Sequence, residues 1–276
     1  MIKDVLVNLS VRKPHDVAAD YAISVAEAYG AHLTGVAFAL EPVIPGTVMG
    51  GVPTEAIEAG RAESEKGARE TIAQFEKAAS LAGISYEARQ LSSTLVGAGD
   101  LFGQLARRFD LSVVGQAEPH KLTGEDLIIE AALFQSGRPL IVVPYIQRGG
   151  HTLERVLVAW DGSRTAARAI GDAMPLLSRA KAVDVVIVAT ERAKRDEITG
   201  AAMGRHLARH DIKVDVKRLV ADDTDVANTL LSYAADAGAD FIVMGGYGHS
   251  RWRELVLGGA TRGILESMTI PALMSH

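Results

Sequence analysis

Residues 239–245 read ADFIVMG, an apolar run that is bounded by an aspartate before it and a glycine after it. A run this apolar predicts a strand that is buried on both faces, as strands of a parallel sheet are. Residues 109–115 read FDLSVVG and have the same design 130 positions earlier. The chain therefore contains the same predicted element twice.

Two further segments are repeated, and they occur in the same order around the first pair. The VLV of residues 5–7 returns at 156–158, and RPLIVVP at 138–144 resembles TIPALM at 269–274. Three matches in one order indicate an internal duplication. We place its boundary near residue 150 and predict two domains, residues 1–150 and residues 151–276.

Each half alternates short apolar runs with amphipathic segments. In the second half the predicted strands are 156–159, 183–190, 213–220, 240–244 and 270–274, and helices connect them. The first half has the same order, with a long loop at 41–53 and a long helix from 54 to about 82. This order predicts an α/β fold: two tandem, doubly wound, parallel five-stranded sheets. We expect the halves to pack as a pseudo-dimer that pairs their fifth strands.

The composition is that of a soluble globular protein, with 48% hydrophobic and 23% charged residues among 276. Cysteine is absent, which excludes disulfides and thiolate metal sites and fits a reducing compartment. The net charge of −5 does not favour nucleic acid, and no apolar run approaches the roughly 20 residues of a membrane span. We expect a cytoplasmic protein that binds neither nucleic acid nor membrane.

Glycines follow the fourth predicted strand of the second half, at the end where open α/β sheets bind ligands. Residues 245–251 read GGYGHSR, and GGAT follows at 258–261, with nine residues between Gly248 and Gly258. Bare N–H groups in such a loop attract anions, and a helix starting near Gly259 adds the positive end of its dipole. Thr261 adds a hydroxyl donor. The spacing therefore predicts a phosphate site made of two loops.

An aspartate follows the first predicted strand of the same half, in the segment WDGS at 160–163. The carboxylate of Asp161 would lie across the same crevice, where it is a candidate to contact a ribose or to help hold a metal ion. The alternative is structural, with Asp161 or Ser163 capping the helix that follows.

This combination resembles the universal stress protein family, whose signature is G-x2-G-x9-G-[ST]. Gly245, Gly248 and Gly258 match the signature in spacing, whereas Gly259 stands where the family has Ser or Thr. That departure removes one hydroxyl donor and keeps the backbone N–H. Residues 156–163, VLVAWDGS, resemble the family's first strand and turn. Two such halves resemble the tandem members of the family.

The resemblance implies a stress-response or signalling protein that binds ATP, with or without Mg²⁺, in its second half. It implies Asp161 near the ribose and the backbone of Ala189 near the adenine. The residues implied around the phosphates are Gly245, Gly248, His249, Gly258, Gly259, Ala260 and Thr261. The nucleotide would act as a ligand or regulator and not as a rapidly consumed substrate.

The first half departs from this pattern. Ser10 stands in the place of Asp161, Glu118 replaces the second glycine, and Asp126 lies near the third glycine position. Carboxylates in those places would repel phosphates. We therefore predict that the first half does not bind ATP in this way.

The sequence contains no recognisable catalytic set, so at most slow ATP hydrolysis is expected. Two alternatives remain open: a nucleotide-free interaction module, and a slow ATPase or adenylyl-transferring enzyme. His206 and His210 lie four apart on a predicted helix but lack a third ligand, so no metal site is predicted. The protein partner is unknown, and the chain is either a monomer built as a pseudo-dimer or a homodimer.

Overall fold

The structure, a computed structural model, describes the chain except for residues 12, 14, 42–52, 119–123, 190–199, 222–225 and 247–258. The chain divides into two compact units, Ile2–Ser136 and Gly137–His276. Each unit alternates helices with the strands of a mostly parallel sheet. The predicted fold class is thereby confirmed.

The first unit has four parallel strands in the order β3-β2-β1-β4. They are β1 (Asp4–Leu9), β2 (His32–Leu40), β3 (Ser85–Ser93) and β4 (Leu111–Gly115). The helices among its described residues are α1 (Val17–Tyr29), α2 (Thr54–Leu81), α3 (Leu95–Ala106) and α4 (Gly124–Gln135). The long helix predicted from residue 54 is α2.

The second unit has six strands in the order β5-β10-β9-β6-β7-β8. They are β5 (Leu140–Val143), β6 (Val156–Ala159), β7 (Val183–Ala189), β8 (Val214–Val220), β9 (Phe241–Gly245) and β10 (Ala272–Ser275). The helices among its described residues are α5 (Arg164–Leu177), α6 (Gly200–Ala208), α7 (Val226–Ala237) and α8 (Gly259–Ser267).

The predicted pairing of the two fifth strands is observed within the second unit. Strand β5 runs antiparallel to β10, with Ile141 opposite Leu273, whereas β6 to β10 pair with one another in parallel. Because of this pairing, the second compact unit begins at Gly137 and includes β5. The boundary near residue 150 divides the sequence repeats, and it stays a prediction.

The core follows from the apolar runs that the sequence shows. Val156, Leu157 and Val158 are all 0% exposed, so β6 is covered on both faces, as the absence of polar alternation predicts. Helix α5 buries Thr165, Ala166, Ala169, Ile170, Ala173, Leu176 and Leu177 at helical spacing, whereas its Arg164 and Arg168 are exposed. Burial of these apolar side chains thus accounts for the position of the central strands. The loops that follow their carboxyl ends lie at one edge of the sheet.

Candidate functional site

The strand order of the second unit reverses direction at β6. From β6 the chain proceeds to β7 on one side, and β9 pairs with β6 on the other side. In open α/β sheets the crevice outside the carboxyl ends at such a reversal is the usual ligand site. The strand ends that meet there carry Asp161, Ala189 and Gly245, three of the predicted site residues.

Asp161 lies in a tight turn between β6 and α5. Its Oδ1 accepts the N–H of Ser163 at 2.9 Å, and Gly162 between them has a φ of 78°. Ser163 caps α5, because its hydroxyl accepts the N–H of Ala166 at 3.1 Å. The helix cap is thus Ser163, while the carboxylate of Asp161 is held in place by the turn and is exposed to solvent.

Ala189 is the last residue of β7 and is half-buried. The register of β6 with β7 ends at Ala159 opposite Val186, so β7 continues for three residues beyond its last partner on β6. On its other side Ala189 pairs with Val220, and its carbonyl accepts the N–H of Ala221 at 3.2 Å. The predicted contact of its backbone with adenine stays a prediction.

Gly245 ends β9 underneath helix α5. A Cβ at this position would lie 2.6 Å from the backbone nitrogen of Ala166 and 2.7 Å from Thr165 Oγ1. Real Cβ atoms do not approach other atoms so closely, so packing alone requires glycine here. The sequence motif assigned Gly245 to the phosphates; the structure gives it a packing role, and the phosphate role stays a prediction.

The chain beyond Gly245 is anchored to the end of β10. The N–H of Gly246 donates to the carbonyl of Ser275 at 2.8 Å, and Nδ1 of His276 lies 3.0 Å from the carbonyl oxygen of Gly246. Residues 247–258 follow. The predicted site residues Gly248, His249 and Gly258 therefore lie outside the described residues.

Helix α8 begins at Gly259, as the sequence predicts. Gly259 is exposed, and a Cβ placed there would meet no atom of the described residues within 4 Å. Ala260 is half-buried and Thr261 is buried, at 5% exposure. Since α8 connects the parallel strands β9 and β10, its first turn lies at their carboxyl edge. The helix itself is fixed by close packing on α7, where a Cβ on Gly263 would approach that of Ala227 to 2.6 Å.

The corresponding helix of the first unit begins differently. Helix α4 starts at Gly124 and carries Glu125 and Asp126 in its first turn, whereas the first turn of α8 contains no acidic residue. Glu125 is paired with Lys13 at 3.2 Å, and burial, followed by the charge of Glu125, raises the pKa of Asp126. Carboxylates therefore occupy the start of α4, the place that an anion would need.

Ser10, which replaces Asp161 in the first unit, is buried and lies beside a different cap. Its N–H donates to Oδ2 of Asp16 at 2.7 Å, while Oδ1 of Asp16 accepts the N–H groups of Ala18 and Ala19 at 3.1 Å each. A cavity of about 120 Å³ opens next to this cap. Its lining includes Leu9, Ser10, Lys13, Asp16, Thr71 and Phe75.

The described residues contain no group of three or more His, Asp or Glu side chains that could hold a metal ion. The rings of His206 and His210 meet edge to face with centroids 5.0 Å apart, and both residues are exposed. Among all the residues that the structure describes, no helix is long and apolar enough to cross a membrane.

Comparisons with known proteins give the class of this chain. The model of the universal stress protein family matches residues 152–276. A universal stress protein of Synechocystis is 26% identical over 184 residues, which cover 63% of this chain and 60% of that protein. The chain thus spans about three-fifths of the length of the curated relative that it matches.

Two solved structures cover almost the whole chain. A universal stress protein from Archaeoglobus fulgidus aligns with a TM-score of 0.72 and 18% identity, over 99% of this chain and 95% of that one. A Pseudomonas aeruginosa protein described as functionally unknown aligns with a TM-score of 0.60 and 16% identity, over 99% and 92%. At these identities the likeness concerns the fold.

Residues 152–276 match the model of the universal stress protein family, which confirms the resemblance predicted from the glycine motif. The likeness in fold extends over both halves of the chain. Sequence reasoning gave no role to one residue of the second half, Trp160, which directly precedes Asp161 and is buried.

Proposed function

We propose that this protein binds an adenine nucleotide, ATP, in its second half and uses it as a ligand or regulator in a stress response. The observation that carries the proposal is the start of helix α8. Gly259 opens this helix and is exposed, and no described residue comes within 4 Å of where its Cβ would be. Free N–H groups at a helix start, together with the positive dipole end, favour phosphate.

The charges at the starts of α4 and α8 also favour the second half as the location of the nucleotide site. The first turn of α4 holds Glu125 and Asp126, whereas the first turn of α8 holds Ala260 and Thr261. A triphosphate next to two carboxylates would be repelled, whereas the start of α8 offers no such repulsion. We therefore assign one nucleotide to the chain, in the second half.

The proposed roles follow the strand ends that meet at the reversal of the sheet. Asp161 would accept hydrogen bonds from the ribose, and the backbone of Ala189 would contact the adenine. Gly248, His249, Gly258, Gly259, Ala260 and Thr261 would surround the phosphates. The exposed carboxylate of Asp161 also suits a Mg²⁺ ion that accompanies the nucleotide, because carboxylate oxygens are its usual protein ligands.

Binding would stabilise the folded second half and change the affinity of an as yet unidentified protein partner. Hydrolysis, if it occurs, would be slow. We propose a cytoplasmic location, with the chain acting as a monomeric pseudo-dimer or as a homodimer.

The decisive experiment introduces into the first turn of α8 an acidic residue of the kind that α4 has in its first turn. Ala260→Glu places a carboxylate at the second residue of α8, the place that Glu125 has in α4, and Ala260→Gln is the matched variant of nearly equal size without charge. A carboxylate in the first turn stabilises a helix, so the unliganded glutamate variant should melt at or above the temperature of the glutamine variant. With ATP or MgATP at about 100 times Kd, binding should stabilise the wild type by ~2.7 kcal/mol.

We expect that stabilisation to be lost in Ala260→Glu and to be retained in large part in Ala260→Gln. Gly248→Glu should abolish it as well. Absence of any shift in the wild type at millimolar nucleotide would contradict ATP binding and favour the nucleotide-free interaction module. Phosphate release well above that of Ala260→Glu would instead favour a slow ATPase.

A further inference from the structure

Trp160 carries a buried polar group that has no hydrogen-bond partner among the described residues. Its side chain is only 7% exposed, and its indole Nε1 makes no hydrogen bond in the part of the chain that the structure describes. An indole nitrogen is a donor only, and buried tryptophans normally find an acceptor. An unmet buried donor costs free energy, so its presence at a strand end calls for a reason.

The position of Trp160 is at the sheet reversal described above. Its backbone N–H donates to the carbonyl of Val186 at 2.9 Å, so the chain still follows β7 at this point. The β6–β9 register has Val158 opposite Val243, which brings Trp160, two residues on, level with Gly245. Residues level with each other in parallel strands point to the same face, and Gly245 faces helix α5.

The repeat in the sequence relates Trp160 to a residue of the first unit that lines a cavity. Trp160 lies 151 positions after Leu9, the same distance that separates the two VLV segments. In the first unit, Leu9 lines the cavity of about 120 Å³ next to Ser10 and the start of α1. The corresponding side chain of the second unit is a tryptophan with an unused donor, directly before Asp161.

We propose that the indole N–H of Trp160 is a hydrogen-bond donor to the nucleoside part of the bound nucleotide. The inference rests on the proposed function. Trp160 is bonded to β7, whose end carries Ala189, whereas the proposed phosphate site lies at the start of α8, between β9 and β10. The acceptor is therefore an oxygen of the ribose or a ring nitrogen of the base, and not a phosphate oxygen.

The test compares three ligands, which are ATP, AMP and tripolyphosphate, on wild type and Trp160→Phe by calorimetry. Loss of a neutral hydrogen bond should weaken ATP and AMP alike by about tenfold, or ~1.4 kcal/mol. Tripolyphosphate, which lacks the nucleoside, should bind equally to both proteins. Ser112→Ala is the matched control, since its Oγ is also buried and has no hydrogen-bond partner among the described residues but lies on β4 of the first unit. Its affinities should equal those of the wild type.

A second variant removes the N–H without changing the shape of the ring. The chain has two tryptophans, so 3-benzothienylalanine can be placed at position 160 alone in a Trp252→Phe background. This protein should fold at least as stably as its tryptophan parent, because an unmet buried donor is gone. It should show the same tenfold loss for AMP, of the order expected for one neutral hydrogen bond.

The outcomes separate this inference from the proposed function. If wild type binds ATP but both Trp160 variants bind it equally well, the donor role is wrong and the nucleotide site remains. If the variants lose tripolyphosphate to the same extent as AMP, the effect is general damage and the inference is again wrong. If the wild type binds none of the three ligands, both the donor role of Trp160 and the proposed function are wrong.

Discussion

Tyr233 donates its hydroxyl to the carboxylate of Asp184 at 3.0 Å, and this bond joins helix α7 to strand β7. Asp184 is 1% exposed, and both of its oxygens also accept from Nη1 of Arg155 at 3.0 Å. A buried carboxylate is tolerated only when it is paired and hydrogen-bonded, and here both conditions are met. The three residues therefore act as one polar anchor within the second unit.

The first prediction concerns the ionisation of this anchor. Burial, followed by the hydrogen bond to Asp184 and its charge, raises the pKa of Tyr233 from 10.0 to about 12. Because the folded state holds this proton more tightly, the corresponding stability is present below pH 10 and is lost as the pH rises towards 12. Ultraviolet titration of the phenolate should show one late step, and this step should be absent in Tyr233→Phe.

The control for that titration is Asp184→Asn, which removes the charge and keeps the size. The late step should move towards pH 10 in this variant. A late step that persists unchanged in Asp184→Asn would mean that the carboxylate does not hold the proton. Tyr233→Phe should also lower the free energy of unfolding by about 2 kcal/mol, the usual worth of a hydrogen bond to a charged group.

The second prediction compares two glycines at the same position of the repeat. Gly245→Ala brings a methyl group to 2.6 Å from the nitrogen of Ala166, so strand β9 and helix α5 must separate. In Gly115→Ala the nearest atoms, on Ala18 and Ser10, are 3.7 and 3.8 Å away, which is ordinary contact. We expect a loss of about 2–3 kcal/mol for Gly245→Ala and less than about 0.5 kcal/mol for Gly115→Ala, measured by urea unfolding. Equal losses would contradict the packing role of Gly245.

Much of the fold could be predicted from the sequence, because buried strands and helices have recognisable local patterns of apolar residues. The runs at 5–7 and 156–158 are apolar without alternation, and they form β1 and β6. The helix start at Gly259 could be predicted from the glycines and the amphipathic pattern behind it. The pairing of β5 with β10 was predicted, but the inclusion of β5 in the second compact unit was not, because no local pattern shows which unit is favoured by contacts between residues 132 positions apart, such as Ile141 and Leu273.

The site was predicted less completely for a related reason. Asp161 was predicted because it follows a strand end, and Ala189 because the family resemblance implies it, and both stay predictions. The packing of Gly245 on Ala166 depends on how closely a helix approaches the sheet. No local pattern reports that distance. The anchor at Asp184 is similar, because its partners Arg155 and Tyr233 lie 29 and 49 residues away in the chain.

The third prediction is a loss of stability in mild acid. Burial, opposed by the charge of Asp240, lowers the pKa of His151 from 6.5 to about 4, and its ring packs edge to face on Phe241 with centroids 5.9 Å apart. The unfolded chain binds the proton more readily, so the stability is complete above pH 6.5 and is lost as the pH falls towards 4. The loss attributable to this group is on the order of 3 kcal/mol.

His151→Leu isolates that effect, because leucine fills the half-buried position with a side chain that cannot titrate. Urea unfolding at a series of pH values should give a flatter acid limb for the variant than for the wild type. Parallel curves for the two proteins between pH 7 and 4 would show that His151 is not the titrating group.

The last prediction uses the open space at Gly259. A Cβ there meets nothing within 4 Å, so Gly259→Ser fits without strain and supplies the hydroxyl that the family signature has at this position. Gly259→Ala is the control, since it adds the same Cβ without a donor. Both variants should raise the melting temperature of the unliganded protein slightly, because glycine is costly in a helix. Only the serine variant should bind ATP more tightly, by about fivefold, since one new hydrogen bond contributes ~1 kcal/mol. An equal gain in affinity for alanine and serine would mean that a stiffer helix start, and not a phosphate contact, improves binding.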